Sequence, residues 1–223
     1  MITPLSADQI YKDLLKRIIA LDIEPGAKVS ENSLGTEYNV SRSVMRNIFA
    51  RLNQIGFVEI LPQRGTYITQ IDLKYISAVL LMRLSIEKEM LQRFVNRDDN
   101  DELIELLKEN VKKQQNYVTE GTYIDDFRRL DESFHGIILE RGGLFNIDKL
   151  LHEPLLHLSR WRNVAVNNGF RLSQIVKEHQ DILESIEKKD IDKIDVIITN
   201  HIENTIRDRD SIKKQYRKYC INI

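Results

Sequence analysis

The stretch VSRSVMRNIFARL, residues 40–52, decides the first part of the fold. Its apolar residues recur at helical spacing, which predicts an amphipathic helix with one buried face. That buried face holds Met45, Ile48, Phe49, Leu52 and Ile55. The opposite face carries Arg42, Ser43, Arg46 and Asn47. A solvated face usually mixes both signs of charge, yet no carboxylate occurs between Glu37 and Glu59. The pattern therefore favours contact with an anionic partner over an ordinary solvated face.

Composition sets the limits within which this helix is interpreted. The chain has 223 residues, of which 42% are hydrophobic and 30% charged, so it can bury a core in one large or two small domains. Its net charge of -1 predicts no general affinity for polyanions, and the basic signal is local. The single cysteine, Cys220, excludes an intramolecular disulfide and fits a reducing compartment. Because neither a membrane-spanning run nor a leader pattern occurs, we expect a cytoplasmic protein without a membrane partner.

The segments around the quoted helix predict a winged helix-turn-helix in residues 1–70. Ser6, Ser30 and Ser41 are placed to cap three successive helices. Two β-rich runs, FVEIL and GTYIT, follow with PQR between them, which predicts a small β-hairpin. The order is helix, helix, turn, helix and hairpin, which is the layout of a winged helix-turn-helix. In that motif the third helix lies in the DNA major groove.

This geometry assigns roles to particular side chains. Arg42, Ser43, Arg46 and Asn47 occupy the positions that reach base edges, and arginine pairs bidentately with guanine or phosphate. Arg64 lies beside Gly65 at the hairpin tip, where a basic residue can enter the minor groove. The alternative is a protein-binding winged helix with an ordinary surface.

From about residue 72 the pattern changes to successive helices in which glycine is less frequent. The predicted spans are 72–96, 100–119, 122–141, 145–165, 171–188 and 191–217. We therefore expect a mainly α protein: a winged helix-turn-helix domain (1–70) and an all-α bundle of about six helices (72–223).

Four residues of the bundle have the spacing of a metal site. Asp131 and His135 are four apart, so both project from one helix face. His179 and His201 lie at equal distances from a predicted helical turn, so they face each other in an antiparallel pair. Three imidazoles and a carboxylate suit Zn²⁺, Ni²⁺ or Mn²⁺. The alternative is that these are core histidines with ordinary hydrogen bonds.

The other two histidines do not fit the set. His152 and His157 are five apart and point in diverging directions. We leave both out of the metal site and keep His157 as a residue able to reach the cavity.

The N-terminal part resembles the DNA-binding domain of the GntR family of bacterial transcription regulators. The resemblance lies in "EPGAKVSENSL" and "YNVSRSVMRNIFARLNQIGFVEILPQRGTYIT" and covers nearly all of residues 6–70. It implies that Arg42 and Arg46 contact DNA, that Ser41 and Ser43 contact phosphates, and that Arg64 and Gly65 form the wing.

The C-terminal part resembles the FCD ligand-binding domain of the FadR branch of that family, over residues 72–210. The matching motifs are Arg83-x-x-x-Glu87, Asp131-x-x-Phe134-His135, Glu178-His179-x-x-Ile182 and His201-Ile202. The resemblance implies that Asp131 and the three histidines bind a divalent cation and that a small carboxylate effector sits against it. Arg83 is then a candidate second contact to the effector. The alternative for Arg83 is a surface salt bridge with Glu87.

These observations favour a transcription regulator, a repressor, whose DNA affinity responds to a small carboxylate metabolite. One winged helix reads few base pairs, so we expect a homodimer on an inverted repeat. The competing hypothesis is a metal-dependent hydrolase or oxygenase. No HExxH-type helix supports it, and it leaves the winged helix unexplained, so we expect no enzymatic activity.

Overall fold

The computed structural model describes residues 5–120, 124–141, 147–167, 172–207 and 214–222. The helices are α1 (Ala7–Ile19), α2 (Glu31–Tyr38), α3 (Arg42–Gln54), α4 (Leu73–Val95), α5 (Asp101–Glu120), α6 (Ile124–Arg141), α7 (Ile147–Asn167), α8 (Leu172–Glu187) and α9 (Ile191–Arg207). The strands are β1 (Lys28–Val29), β2 (Val58–Leu61), β3 (Gly65–Ile68), β4 (Ile71–Asp72) and β5 (Cys220–Ile221). A 3₁₀ helix spans Lys214–Tyr219.

The chain divides into two compact units. The first unit comprises Met1–Ile76, Leu156–Val164 and Ile212–Ile223, and the second comprises Ser77–Leu155 and Ala165–Ser211. The middle of α7 therefore belongs to the first unit, while the rest of that helix belongs to the second.

The three predicted caps of the first unit are confirmed. Ser6 forms a capping box with Gln9, since each side chain accepts from the backbone N–H of the other residue. The Ser30 hydroxyl accepts from two backbone amides in the first turn of α2, and Ser41 accepts from Val44 N. Each hydroxyl satisfies amides that have no partner within the helix, so each fixes the residue at which a helix begins.

Four of the five residues predicted for the buried face of α3 are buried, and the fifth, Ile55, follows the end of the helix and is partly buried. Met45, Ile48, Phe49 and Leu52 are at most 1% exposed. They pack with apolar residues of α1 and the sheet, and the core also holds Ile10, Leu14, Ile18, Phe57 and Ile68. A Cβ on Gly35 of α2 would lie 3.0 Å from the Val40 carbonyl, so a larger residue there would need the turn between α2 and α3 to shift slightly.

The predicted hairpin is confirmed and belongs to a three-stranded antiparallel sheet of order β1-β3-β2. Strand β1 was not predicted, because two residues are too short to show an alternating pattern. It pairs Lys28 with Tyr67 and Val29 with Thr66, beside the hairpin tip.

The end of the chain differs from the prediction. The single helix predicted over 191–217 is wrong at its end, since Lys214–Tyr219 is a 3₁₀ helix and Cys220–Ile221 is a strand. Strand β5 pairs in parallel with β4, so it lies beside the segment that leads from the wing into α4. Residues 208–213 of that predicted span, and the predicted helix starts 122–123, 145–146 and 171, lie outside the described residues.

The middle of α7 is fixed to the winged helix by side-chain hydrogen bonds to backbone carbonyls. Asn163 Nδ2 donates to Ile19 O at 2.6 Å, at the end of α1. His157 Nε2 donates to Ile55 O at 2.8 Å, at the end of α3. Arg160 donates to the carbonyl and hydroxyl oxygens of Thr69. The first two bonds satisfy carbonyls at helix ends, which have no donor within their own helices.

The second unit is a helical bundle. In it α5 packs against α6 and α8, and α8 packs against α9. Its core holds Phe94, Leu107, Val111, Phe134, Ile138, Ile182, Ile186, Ile194, Ile198 and Ile202. Within the described part of the chain, no helix is long and apolar enough to cross a membrane.

Candidate nucleic-acid interface and metal centre

The first candidate site is the outward face of α3. Ser41, Arg42, Ser43, Arg46 and Asn47 are all exposed, as their positions opposite the buried face require. No carboxylate lies on this helix. The face combines two guanidiniums with hydroxyl and amide groups, the donor set that reads base edges and phosphates.

An acidic residue outside α3 contacts both arginines, which the sequence pattern did not predict. Arg42 Nε donates to Glu31 Oε2 at 2.6 Å, and Arg46 donates through Nε and Nη2 to the same carboxylate at 3.2 and 3.4 Å. Hydrogen bonds from Arg46 and then Arg42 lower the pKa of Glu31. Glu31 lies in the preceding helix, so no spacing within α3 could indicate this contact.

The hairpin tip forms the second part of this interface. Arg64 is exposed, and Gly65 has φ +116°, a conformation that favours glycine. A Cβ on Gly65 would also lie 2.7 Å from Lys28 Cε. Strand β1 thus brings a second cation, Lys28, to a wing for which the sequence pattern indicated Arg64 alone.

The second candidate site is in the second unit, where the structure brings together the four residues selected from spacing. Asp131 and His135 lie on α6, His179 on α8 and His201 on α9, and all are buried. One ligand atom from each lies within 4.8 Å of all the others. His135 Nε2 is 3.3 Å from His179 Nε2 and 3.2 Å from His201 Nε2. Asp131 Oδ1 is 3.6 Å from His179 Nε2 and 3.8 Å from His135 Nε2.

Each imidazole is held at its other nitrogen by a separate acceptor. His135 Nδ1 bonds Glu87 Oε2 at 2.7 Å, and His179 Nδ1 bonds Gln114 Oε1 at 2.8 Å. His201 Nδ1 bonds Glu178 Oε2 at 2.7 Å. Since these oxygens accept, each Nδ1 carries the proton and each Nε2 presents a lone pair to the centre.

Three lone pairs that converge in this way fit a cation. Two nitrogens about 2.0–2.1 Å from one ion at tetrahedral angles would be roughly 3.3–3.4 Å apart, close to the observed separations of 3.2 and 3.3 Å.

The formal charges of the cluster also favour a cation. Glu87, Asp131 and Glu178 provide three carboxylates, and Arg83 provides one guanidinium. A buried cluster of this sign is stabilised by a divalent cation.

The three acceptors were not predicted from the sequence. Glu87 is 48 positions from His135 and Gln114 is 65 positions from His179, so no local motif connects them. Burial would raise the pKa of Glu178, but the hydrogen bond with His201 and those with two amides lower it overall. Its carboxylate is therefore ionised and can orient His201.

Arg83 lies next to this cluster and does not form the surface salt bridge that was considered as its alternative role. It does pair with Glu87, through Nε and Oε1, but the pair is 2% and 0% exposed and so is not on the surface. Among the described residues, Arg83 Nη1 and Nη2 are buried without a hydrogen-bond partner. Glu87 thus bonds His135 with one oxygen and Arg83 with the other, and a guanidinium edge with unsatisfied donors remains.

The histidines left out of the set lie elsewhere. His152 is exposed on α7. His157 belongs to the first unit, where its ring stacks on Phe57 with centroids 4.2 Å apart. The expectation that His157 reaches the cavity is therefore wrong, because its ring and Nε2 are used to hold the end of α3.

Comparison with known proteins gives two family matches. Residues 6–68 match the family described as bacterial regulatory proteins, gntR family, and residues 78–204 match the FCD domain. The chain is 26% identical over 195 residues to the HTH-type transcriptional repressor RspR of Escherichia coli K12, covering 87% of this chain and 85% of RspR. It is 25% identical to the gluconate operon transcriptional repressor of Bacillus subtilis, covering 82% and 76% of the two chains.

A solved structure shows the same fold. McbR/YncC of E. coli superposes with a TM-score of 0.70 at 14% identity, covering 97% of this chain and all of the other. The matched family and the named relatives are DNA-binding transcription regulators rather than enzymes, which removes the hydrolase or oxygenase hypothesis. The chain belongs to the GntR family of bacterial regulatory proteins, in the group that carries a C-terminal FCD domain.

Proposed function

We propose that this regulator is a homodimeric repressor whose affinity for an inverted-repeat operator is set by a small carboxylate bound beside a divalent metal ion. Residues 1–70 bind DNA and residues 72–223 bind the metal and effector, and the proposed place of action is the cytoplasm. The relatives named above as repressors support the sign of regulation. The convergence of three imidazole Nε2 atoms, each with its Nδ1 held by a separate acceptor, carries the proposal.

DNA binding is assigned to seven residues of the first unit. Arg42, Arg46 and Asn47 are the candidates for base contacts, and Ser41 and Ser43 for phosphate contacts. Arg64 and Gly65 form the wing tip, where Lys28 adds a second positive charge.

The metal is assigned to Asp131, His135, His179 and His201, with Zn²⁺, Ni²⁺ or Mn²⁺ as the ion. When bound, such an ion would supply positive charge and coordination positions open to carboxylate oxygens. Arg83 supports a carboxylate rather than a neutral ligand, because its buried Nη1 and Nη2 match two oxygens of one planar anion. Glu87 fixes the distance of this guanidinium from His135.

The assignment predicts which variants lose the ion. Purified His179→Ala, His201→Ala and Asp131→Ala proteins should retain far less than one divalent ion per chain in elemental analysis, while the wild type retains about one. His152→Ala is the matched control, since it removes an exposed imidazole that lies outside the cluster. A His201→Ala protein with a full complement of metal would show that these are ordinary core histidines.

The effector is tested by melting temperature. A ligand that binds only the folded protein stabilises it by mass action. Acetate, malonate and succinate should be assayed with the wild type and with Arg83→Gln, which keeps the side chain long but uncharged. We expect a carboxylate that raises the melting temperature of the wild type and raises that of Arg83→Gln less. Equal stabilisation of both proteins would remove Arg83 from the effector site.

A further inference from the structure

The carboxylate of Glu31 lies against both arginines of the candidate reading face. It sits in the first turn of α2, its side chain is 20% exposed, and the two arginine side chains are each 64% exposed. Oε2 accepts from Arg42 Nε, while Oε1 and Oε2 both accept from Arg46. One acidic residue therefore bridges two turns of α3.

A role as an N-terminal helix residue does not account for this arrangement. Acidic side chains favour the first turn of a helix because they interact with its unsatisfied amides. Here the Ser30 hydroxyl accepts from those amides, and both oxygens of Glu31 contact arginines instead. The other acid of this helix, Glu37, contacts a single cation, Arg17, at 2.7 Å.

The contacts leave specific donors available. Arginine has five N–H donors, and the edge formed by Nη1 and Nη2 is suited to O6 and N7 of guanine. Arg42 contacts Glu31 through Nε, which leaves that terminal edge out of the contact. Arg46 gives Nε and one Nη2 proton to the carboxylate and keeps Nη1 out of it. Glu31 thus restrains both guanidiniums by their inner edges.

The charge of Glu31 acts on the choice between bases and phosphates. The hydrogen bonds from Arg46 and Arg42 lower its pKa, so it is ionised at any pH used for DNA binding. A phosphate that approaches either guanidinium also approaches this carboxylate and is repelled by it. A guanine edge carries no net charge and does not suffer this repulsion. Phosphate contacts are the same for every sequence, whereas base contacts discriminate.

We propose that Glu31 is a specificity-determining residue: it positions Arg42 and Arg46 for guanine and keeps them from binding backbone phosphates of any sequence. The inference rests on the proposed reading role of the two arginines. It adds that discrimination between operator and other DNA depends on an acidic residue that reads no base itself.

The test uses the full-length protein and two duplexes of equal length. One is the duplex that the wild type enriches from a random pool, and the other is its scrambled sequence. Dissociation constants for both are measured over a range of salt concentrations for the wild type, Glu31→Gln and Glu31→Asp. Glu37→Gln is the control, since it removes the same charge from the same helix but releases Arg17 instead.

We expect Glu31→Gln to lower the ratio of scrambled to enriched dissociation constants by roughly five-fold or more. Its salt dependence on scrambled DNA should steepen by about 0.9 for each additional phosphate that the released arginines neutralise. Glu31→Asp keeps the charge but is too short to bridge both arginines, so its ratio should fall with little change in slope. Glu37→Gln should match the wild type in both.

The outcomes separate this inference from the function on which it rests. Glu31→Gln could keep the wild-type ratio of dissociation constants and the wild-type salt dependence while Arg46→Ala weakens operator binding. That result would overturn only the role of Glu31. Full operator binding by both Arg42→Ala and Arg46→Ala would overturn the placement of the reading face and this inference with it. A correctly folded Glu31→Asp protein with an unchanged ratio would also contradict the positioning role.

Discussion

At the scale of single residues, the arginines of α3 divide into two groups. Arg42 and Arg46 contact Glu31 on the exposed face. Arg51 instead pairs with Asp8 at 3.1 Å, and its guanidinium lies 3.9 Å from the ring centroid of Tyr11. It therefore ties α3 to α1 and is not on the reading face.

Arg42→Ala or Arg46→Ala should lower operator affinity by about 1–3 kcal/mol if the residue reads a base. The free energy of unfolding should change by less than about 0.5 kcal/mol, because both side chains are exposed. Titration of the operator duplex and denaturant unfolding measure the two effects. Arg51→Ala is the control and should show a smaller loss of affinity. Wild-type affinity in both variants would mean that another helix reads the DNA.

Glu87→Gln should weaken divalent metal binding by roughly 10–100-fold, which is the usual effect of mutating the hydrogen-bond partner of a metal-binding histidine. The variant removes the carboxylate that orients His135 and balances Arg83. Competition with a chelator of known affinity gives the dissociation constant. Glu89→Gln is the matched control on α4, since it breaks an exposed pair with Arg93 at the same four-residue spacing. Equal metal affinity in both variants would exclude Glu87 from this role.

The sequence predicted those site residues that helical spacing or a helical hairpin brings together, and it did not predict partners on other helices. Asp131 and His135 were found because helical spacing places them on one face, and His179 and His201 because a hairpin is symmetric about its turn. Glu31 and Gln114 were missed because their partners lie on other helices. Glu178 is next to His179 in the sequence, and this position does not indicate that its carboxylate bonds His201.

At the scale of elements, the position of α7 depends most on contacts with residues that are distant in the sequence. Its middle turns belong to the first unit, where they use Asn163, His157 and Arg160 to bond carbonyls of the winged helix. Periodicity predicted the helix but not this attachment. Strands β4 and β5 were missed for a related reason. Each has two residues, and the nearby hydrogen bond from Gln70 to Lys218 O joins positions 148 apart.

Asn163→Ala should lower the free energy of unfolding by about 1–3 kcal/mol, because it leaves the buried Ile19 carbonyl without its donor. Chemical denaturation measures the change. Asn96→Ala is the control, since it removes an exposed asparagine that follows the end of α4 and bonds the Gln92 carbonyl of that helix. A loss in Asn163→Ala no larger than that of the control would contradict the attachment.

Cys220, in β5, should be almost unreactive in the folded protein. Burial raises the pKa of this thiol to about 11, and the nearby Arg160 lowers it only in part. Relative to the ordinary value of 9.0, this shift reduces the thiolate fraction at pH 8 by about a hundred-fold. Ellman's reagent should react slowly with native protein and at once in guanidinium chloride. Rapid reaction of the native protein would show that β5 is not packed as described.

At the scale of the whole molecule, the chain combines a winged helix, matched by the gntR family, with a helical bundle, matched by the FCD domain. One winged helix presents a short reading surface, so two are expected on an inverted repeat. Light scattering should give the mass of a dimer, about twice 26.2 kDa, for the free protein. The complex with DNA should give the same protein mass after the mass of the duplex is subtracted. A monomer under both conditions would contradict this expectation.

We propose that the histidine and aspartate cluster couples effector binding to DNA affinity. Three helices contribute its members, so an ion among them ties α6, α8 and α9 together. An effector changes DNA affinity only as far as it favours one arrangement of the protein over another, and such coupling is typically about 1–3 kcal/mol.

The most direct test is operator affinity measured with and without the stabilising carboxylate, in metal-loaded protein and in protein stripped with EDTA and dialysed. The loaded protein should change its operator dissociation constant by roughly 5–150-fold when the carboxylate is added. The stripped protein should still bind the operator but no longer respond, and re-addition of the metal should restore the response. An undiminished response in stripped protein would contradict a role for the metal ion in coupling the effector to DNA affinity.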